Sequence, residues 1–183
     1  KKKFEKAPDA AAQIEKHVSS VLGRITCSTS VETSVKSADL VIEAIVENMN
    51  VKHELFSKLD SLAPKHTLFA SNTSSLPIGE IAAVTKRKDK FGGLHFFNPV
   101  PVMKLLEVVR IAETSDDTHK KFIDYGKSIG KVTVNCKDTP GFIVNRLLVP
   151  YLFEAVRMYE RGDASTQDID IAMKLGAGYP MGP

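Results

Sequence analysis

With 183 residues, 43% of them hydrophobic and 26% charged, the chain is long enough to bury a core and groups with folded globular proteins, not disordered or fibrous ones. Its apolar runs stop short of the roughly 18 to 20 residues that span a bilayer, which argues against a membrane protein. The formal charge of +3 comes from basic residues spread along the chain, so nucleic acid is not an expected partner, and "KKK" at residues 1–3 reads as a solvated helix face.

Residues 1–23 are helical in character. From residue 39 onward apolar runs alternate with helical patterns, the mark of βαβ units in a parallel sheet, so the fold class is α/β. "DLVIEAIVEN" (39–48) is a nearly continuous apolar strand, as expected when helices cover both faces of a sheet. "VKHELFSKLDSLA" (51–63) sets Leu55, Phe56, Leu59 and Leu62 on one helical face, and Pro64 stops it. "HTLFA" (66–70) is the next strand, and Pro77 opens a short helix that runs through Val84. The strands "FGGLHFF" (91–97) and "LLEVVRI" (105–111), a helix from Ser115 to Ile129 and the strand "KVTVNC" (131–136) follow. After "KDTPG" (137–141) the style changes. "FIVNRLLVPYLFEAVRMYERG" is a helix apolar on most of its surface, which implies burial on several sides or against another subunit, with a kink at Pro150 and an end at Gly162. "DASTQDIDIAMKLG" begins a further helix near Ser165, with Asp168 completing a capping pattern. A boundary near residue 138 separates the α/β part from the helical part. Two helices do not make an independent domain and the first helical stretch has no strand before it, so the chain reads as a portion of a longer protein.

His95 and Glu107 are titratable residues in adjoining apolar strands, twelve positions apart with "NPVPVM" between the strands. If the strands form a hairpin centred on Pro101, the two face each other within side-chain reach. A carboxylate beside an imidazole fixes its tautomer and supports its protonated form, as a general base requires. The spacing alone also accommodates a purely structural pair. "SNTSS" (71–75) follows a strand and precedes a helix, where open α/β sheets bind ligands, although Ser and Asn are equally ordinary turn and cap formers there. Glu47, at the carboxyl end of its strand, has the same two readings. Asn145 is the one neutral polar residue early in its apolar helix, either a satisfied core amide or a site hydrogen bond. Cys27 and Cys136 fit no metal or redox spacing and read as reduced thiols. "GAGYPMG" follows a helix and lacks the dinucleotide spacing, so it is not a phosphate loop.

"EAIVEN", "FASNTSSLPI", "GLHFFNPVPVMKLLEVV" and "KDTPGFIVNRLLVPYLFEAVRMYERGDAS", with "AMKLGAGYPMGP", resemble the short-chain L-3-hydroxyacyl-CoA dehydrogenase family of mitochondrial fatty-acid β-oxidation, from about residue 37 to the end. The resemblance implies an NAD-binding domain of Rossmann type over 1–138, here without its first glycine-rich βαβ unit. It also implies the start of an all-helical domain for substrate and homodimer contacts over 139–183, without its distal part. The implied activity is NAD-dependent oxidation of (S)-3-hydroxyacyl-CoA to 3-oxoacyl-CoA in the mitochondrial matrix, with no metal. By motif, His95 resembles the catalytic base and Glu107 its orienting partner. Ser74 and Asn145 resemble the polar residues around the substrate, and Lys2 a coenzyme A contact. Glu47, Lys52, Ser74 and Asn98 resemble cofactor contacts. A 3-hydroxybutyryl-CoA dehydrogenase, or a non-catalytic crystallin-like protein on the same scaffold, are the alternatives.

Overall fold

Apolar strands and amphipathic helices alternate to build one five-stranded sheet in the computed structural model, which describes residues 10–183. Helices α1 (Ala10–Leu22) and α2 (Val31–Val35) precede β1 (Leu40–Glu43), α3 (Met49–Leu62), β2 (Leu68–Ser71) and α4 (Ile78–Ala82). A 3-10 turn at Lys88–Lys90 leads into β3 (Phe91–Phe96), followed by β4 (Leu105–Arg110), α5 (Asp116–Ser128), β5 (Val132–Lys137), α6 (Val144–Glu160) and α7 (Thr166–Leu175). Local chemistry sets several ends. Asn48, Ser115 and Ser165 accept the amide hydrogens of Val51, Thr118 and Asp168 as N-caps, and Pro64 follows the last residue of α3's C-cap. Lys2 lies outside the described residues.

Strand order in the sheet is the order in the chain, but the sheet is mixed and not parallel throughout. β1, β2 and β3 run parallel, β4 is antiparallel to β3, and β5 is parallel to β4. The short link from β3 to β4 explains this, because a parallel crossover needs a dozen or more residues whereas a hairpin does not. The register pairs Gly93 with Val109, Leu94 with Val108, His95 with Glu107 and Phe96 with Leu106. β1 is also shorter than the apolar run 39–48. Its ladder with β2 ends at Glu43, whose carboxylate then accepts the N–H of Ile45 at 2.7 Å and turns the chain out of the sheet.

The two-residue alternation of strands sorts the core into two layers. Leu68, Ala70, Leu94, Leu106 and Val108 pack with Phe122 of α5 on one face. Phe69, Phe91 and Val109 face the other way, onto Phe56 of α3 and Ile78 and Ile81 of α4. Phe56 and Phe91 meet edge-on at 4.7 Å between centroids. Gly92 is required where α5 approaches, since a Cβ there would come within 2.7 Å of the Phe122 ring and 2.8 Å of the Val109 carbonyl. By the same parity His95 and Glu107 face the α3 and α4 side.

α6 departs from its sequence-based expectation. None of its residues is buried, and Leu147 and Phe153 are 70% and 58% exposed. The helix leaves the sheet after the 138–143 linker: its first turn touches Glu107 and the Ser74 loop, and further along α7 and the tail beyond it lie against it, through contacts such as Tyr151 with Tyr179. Its apolar surface is therefore uncovered. Among the described residues no helix is long and apolar enough to cross a membrane.

Candidate active site

The hairpin places the His95 ring directly against Glu107, with Nδ1 2.7 Å from Oε2. Both side chains are buried, Glu107 fully. The second carboxylate oxygen, Oε1, accepts the backbone N–H groups of Ile143 at 3.1 Å and Val144 at 2.9 Å, so the same carboxylate caps the start of α6. The free amides and the helix dipole both favour an anion at that position. Getting those amides there takes an unusual backbone. Gly141 and Phe142 both adopt positive φ, 81° and 50°, and the latter strains a non-glycine residue. The turn drives the Phe142 ring into the core, 5.5 Å from the imidazole centroid, while Phe97 lies 4.5 Å from it on the hairpin side. The imidazole is thus held by one hydrogen bond and two rings. Nε2 makes no hydrogen bond among the described residues, which leaves it the proton-accepting end of the ring.

The "SNTSS" loop after β2 is organised by Glu47. Its carboxylate accepts the Ser74 N–H at 2.8 Å and the Thr73 hydroxyl at 2.9 Å, and it lies 3.4 Å from the Lys52 ammonium. Partial burial alone would raise the pKa of Glu47, but the Ser74 amide, the Thr73 hydroxyl and Lys52 outweigh it and hold the group below the ordinary carboxylate range. Across the linker, the Asn145 side chain donates to the Ser74 carbonyl at 3.3 Å. Ser74 and Asn145 line a cleft of about 300 Å³ with Gly141, Arg146 and Val149. Asn98 is exposed on the turn after β3, joined to Pro99 by a cis peptide. Ser74, Asn145, His95 and Glu107 are therefore gathered where β2, β3 and α6 meet. Lys52 is not presented to this surface, for its side chain is 1% exposed and its ammonium is held by Glu43 at 2.7 Å. At the carboxyl ends of β1 and β2 the half-exposed Glu47 carboxylate and the Ser74 hydroxyl stand beside the exposed apolar run Ala44, Ile45 and Val46, the position where open α/β sheets bind ligands. Among the described residues no group of three or more His, Cys, Asp or Glu side chains is placed to hold a metal ion.

Two family models cover the chain: the NAD binding domain of 3-hydroxyacyl-CoA dehydrogenase matches residues 1–139, and the C-terminal domain of the same enzyme matches residues 141–183. The chain belongs to the 3-hydroxyacyl-CoA dehydrogenase family. It is 66% identical to a probable 3-hydroxyacyl-CoA dehydrogenase of Caenorhabditis elegans over 99% of this chain and 58% of that protein. It is 61% identical to the mitochondrial hydroxyacyl-coenzyme A dehydrogenase of Homo sapiens over 100% of this chain and 57% of that protein. The crystal structure of (S)-3-hydroxybutyryl-CoA dehydrogenase from Ralstonia eutropha superposes with a TM-score of 0.88 at 41% identity, over 95% of this chain and 65% of that one. The chain thus spans under three fifths of these curated relatives' length.

Several residues that build this cluster escape a sequence reading. Glu43 and Ser71, at the ends of β1 and β2, are buried and bonded to each other at 2.6 Å, yet inside apolar strands they look like strand-end polar residues. The signal that singles out His95, a lone titratable group in an apolar strand, applies equally to Glu43. Asp138 accepts the N–H groups of Ile78 and Gly79 at 2.9 and 2.7 Å and so ties the linker to α4, a role no local pattern announces. Cys136 of β5 lies next to the dyad. Burial, with the Glu107 carboxylate nearby, pushes its thiol up to about 11, whereas Cys27 is exposed. Iodoacetamide at about pH 8 should therefore alkylate Cys27 quickly and leave Cys136 unmodified in the native protein, since the thiolate is the nucleophile. Equal labelling of both cysteines by mass spectrometry would contradict this placement.

Proposed function

We propose that the protein to which this chain belongs oxidises (S)-3-hydroxyacyl-CoA to 3-oxoacyl-CoA, reversibly, as an NAD-dependent step of fatty-acid β-oxidation in the mitochondrial matrix. The observation that carries the reading is the buried dyad, with Glu107 on Nδ1 of His95 and Nε2 left without a partner. In the oxidative direction Nε2 accepts the 3-hydroxyl proton while the hydrogen on C3 departs as hydride, leaving a 3-oxo group. NAD, when bound, supplies the hydride acceptor. Glu107 compensates the positive charge that develops on the ring and keeps Nδ1 in the donor state. Ser74 and Asn145 stand at the mouth of the cleft, where they suit a substrate oxygen, and Ser74, Glu47 and Asn98 suit the cofactor. Lys52 serves the cofactor side from beneath Glu47, and Lys2 is assigned to coenzyme A. In this reading residues 1–138 form the NAD-binding domain and residues 139–183 open the domain for substrate and dimer contacts.

The uncovered apolar surface of α6 supports a homodimer, because exposed patches of this kind are normally interfaces. Sedimentation of the whole protein at micromolar concentration should give a dimer, and a monomer would refute the assignment. The test of the activity is NADH oxidation by the whole protein with 3-oxoacyl-CoA esters of increasing chain length. Turnover that extends beyond the four-carbon ester fits the fatty-acid role, and turnover confined to that ester fits a 3-hydroxybutyryl-CoA dehydrogenase. Absence of turnover with every ester would overturn the enzymatic reading.

A further inference from the structure

Glu43 is a fully buried carboxylate that the proposed chemistry does not use. It is not a passive strand end. Oε1 accepts the Lys52 ammonium at 2.7 Å and the Ile45 N–H at 2.7 Å, and Oε2 accepts the Ser71 hydroxyl at 2.6 Å. One side chain thereby joins the end of β1, the end of β2, the exit loop and α3. Lys52 is equally buried, and among the described residues its only other charged neighbour is Glu47, at 3.4 Å. Glu47 in turn holds Thr73 and Ser74. A buried carboxylate, a buried ammonium and a half-exposed carboxylate thus form a chain that ends on the loop facing the cleft.

We propose that Glu43 is a positioning residue for the cofactor side of this site: it anchors Lys52 beneath Glu47, and through Glu47 sets the conformation of the Ser74 loop. The proposal rests on the reading that the carboxyl ends of β1 and β2 receive the nicotinamide cofactor. The physical basis is the cost of a buried charge without its partner. With Glu43 neutral, Lys52 loses its nearest counter-charge and turns wholly to Glu47, which draws that carboxylate inward and away from the Ser74 amide. Outer partners of metal-ligating residues change affinity or activity by roughly 10- to 100-fold when removed, and the lower end of that range is the expectation for a carboxylate-held cofactor loop.

The test uses the whole protein carrying Glu43→Gln, with Ser71→Ala as a milder variant that removes one hydrogen bond to Glu43 and keeps its charge. Two readouts are taken: hydrogen exchange of the 72–75 amides without cofactor, and NADH affinity by fluorescence titration. Glu43→Gln should speed exchange in 72–75 and weaken NADH binding about tenfold. Exchange in β3 should stay as in the wild type, and acetoacetyl-CoA affinity, which Ser74 shares with Asn145, should fall by a clearly smaller factor than NADH affinity. Ser71→Ala should move both affected readouts in the same direction by a smaller factor, and it decides the matter alone if Glu43→Gln does not fold. Unchanged exchange in 72–75 would overturn the proposal, as would faster exchange with unaltered NADH affinity. Equal loss of NADH and acetoacetyl-CoA affinity would show a merely structural residue. A wild-type protein that binds no NADH would remove the functional reading itself, and the proposal with it.

Discussion

Replacing His95 by alanine should lower kcat of the whole protein by roughly 10²- to 10⁴-fold, the range lost when a positioned general base is removed. The fold should survive the change. Glu107 loses a partner on Oε2 but keeps the Ile143 and Val144 amides on Oε1, so its buried charge is not stranded. The buried ring vacates a space flanked by Phe97 and Phe142. The KM for NADH should therefore change little, which marks the loss as one of transition-state stabilisation and not of binding. A variant with kcat near the wild-type value would remove His95 from the mechanism.

Glu107→Ala should be the more damaging substitution, because it strikes stability and turnover together. It deletes the acceptor for two part-buried amides at the start of α6 and leaves them, with the buried imidazole, without their partner. Hydrogen bonds to a charged group contribute roughly 1.5–3 kcal/mol each when lost, so a loss of about 3 kcal/mol or more in urea unfolding is expected. Turnover should fall by about the same factor as for His95→Ala, since an imidazole without its orienting carboxylate no longer presents a defined tautomer. Glu107→Gln separates the two roles. Its amide oxygen can still serve the α6 amides or the ring but not both as an anion, so stability should recover in part while kcat stays low. Full activity in Glu107→Gln would show that the carboxylate only caps the helix.

The dyad was legible in the sequence because it rests on a simple regularity. A hairpin pairs positions of constant index sum, and the eight residues between β3 and β4 leave no room for any other connection. Helix ends at Ser115, Ser165 and Pro64 were legible for a similar reason, as they depend on neighbours a few residues away. The same hairpin makes β4 antiparallel to β3, a reversal that the alternation of elements alone, which signals βαβ units, does not show. What was not legible joins distant segments. Sequence separations of 36 from Glu107 to Ile143 and of 60 from Ile78 to Asp138 carry no periodicity that foretells those contacts. Resemblance places Lys52 at the cofactor surface, whereas the structure turns its ammonium inward onto Glu43, nine residues before it at the end of β1. The apolar character of α6 was legible, but not whether anything covers it.

In the proposed reaction Nε2 of His95 exchanges a proton with the oxygen on C3 of the acyl chain. A crystal structure of the whole protein with NAD and acetoacetyl-CoA tests it most directly. The 3-oxo oxygen should lie about 2.6–3.2 Å from Nε2, within hydrogen-bond reach, with Glu107 still on Nδ1. An oxygen bound by another group, with the imidazole facing away from the substrate, would contradict the account.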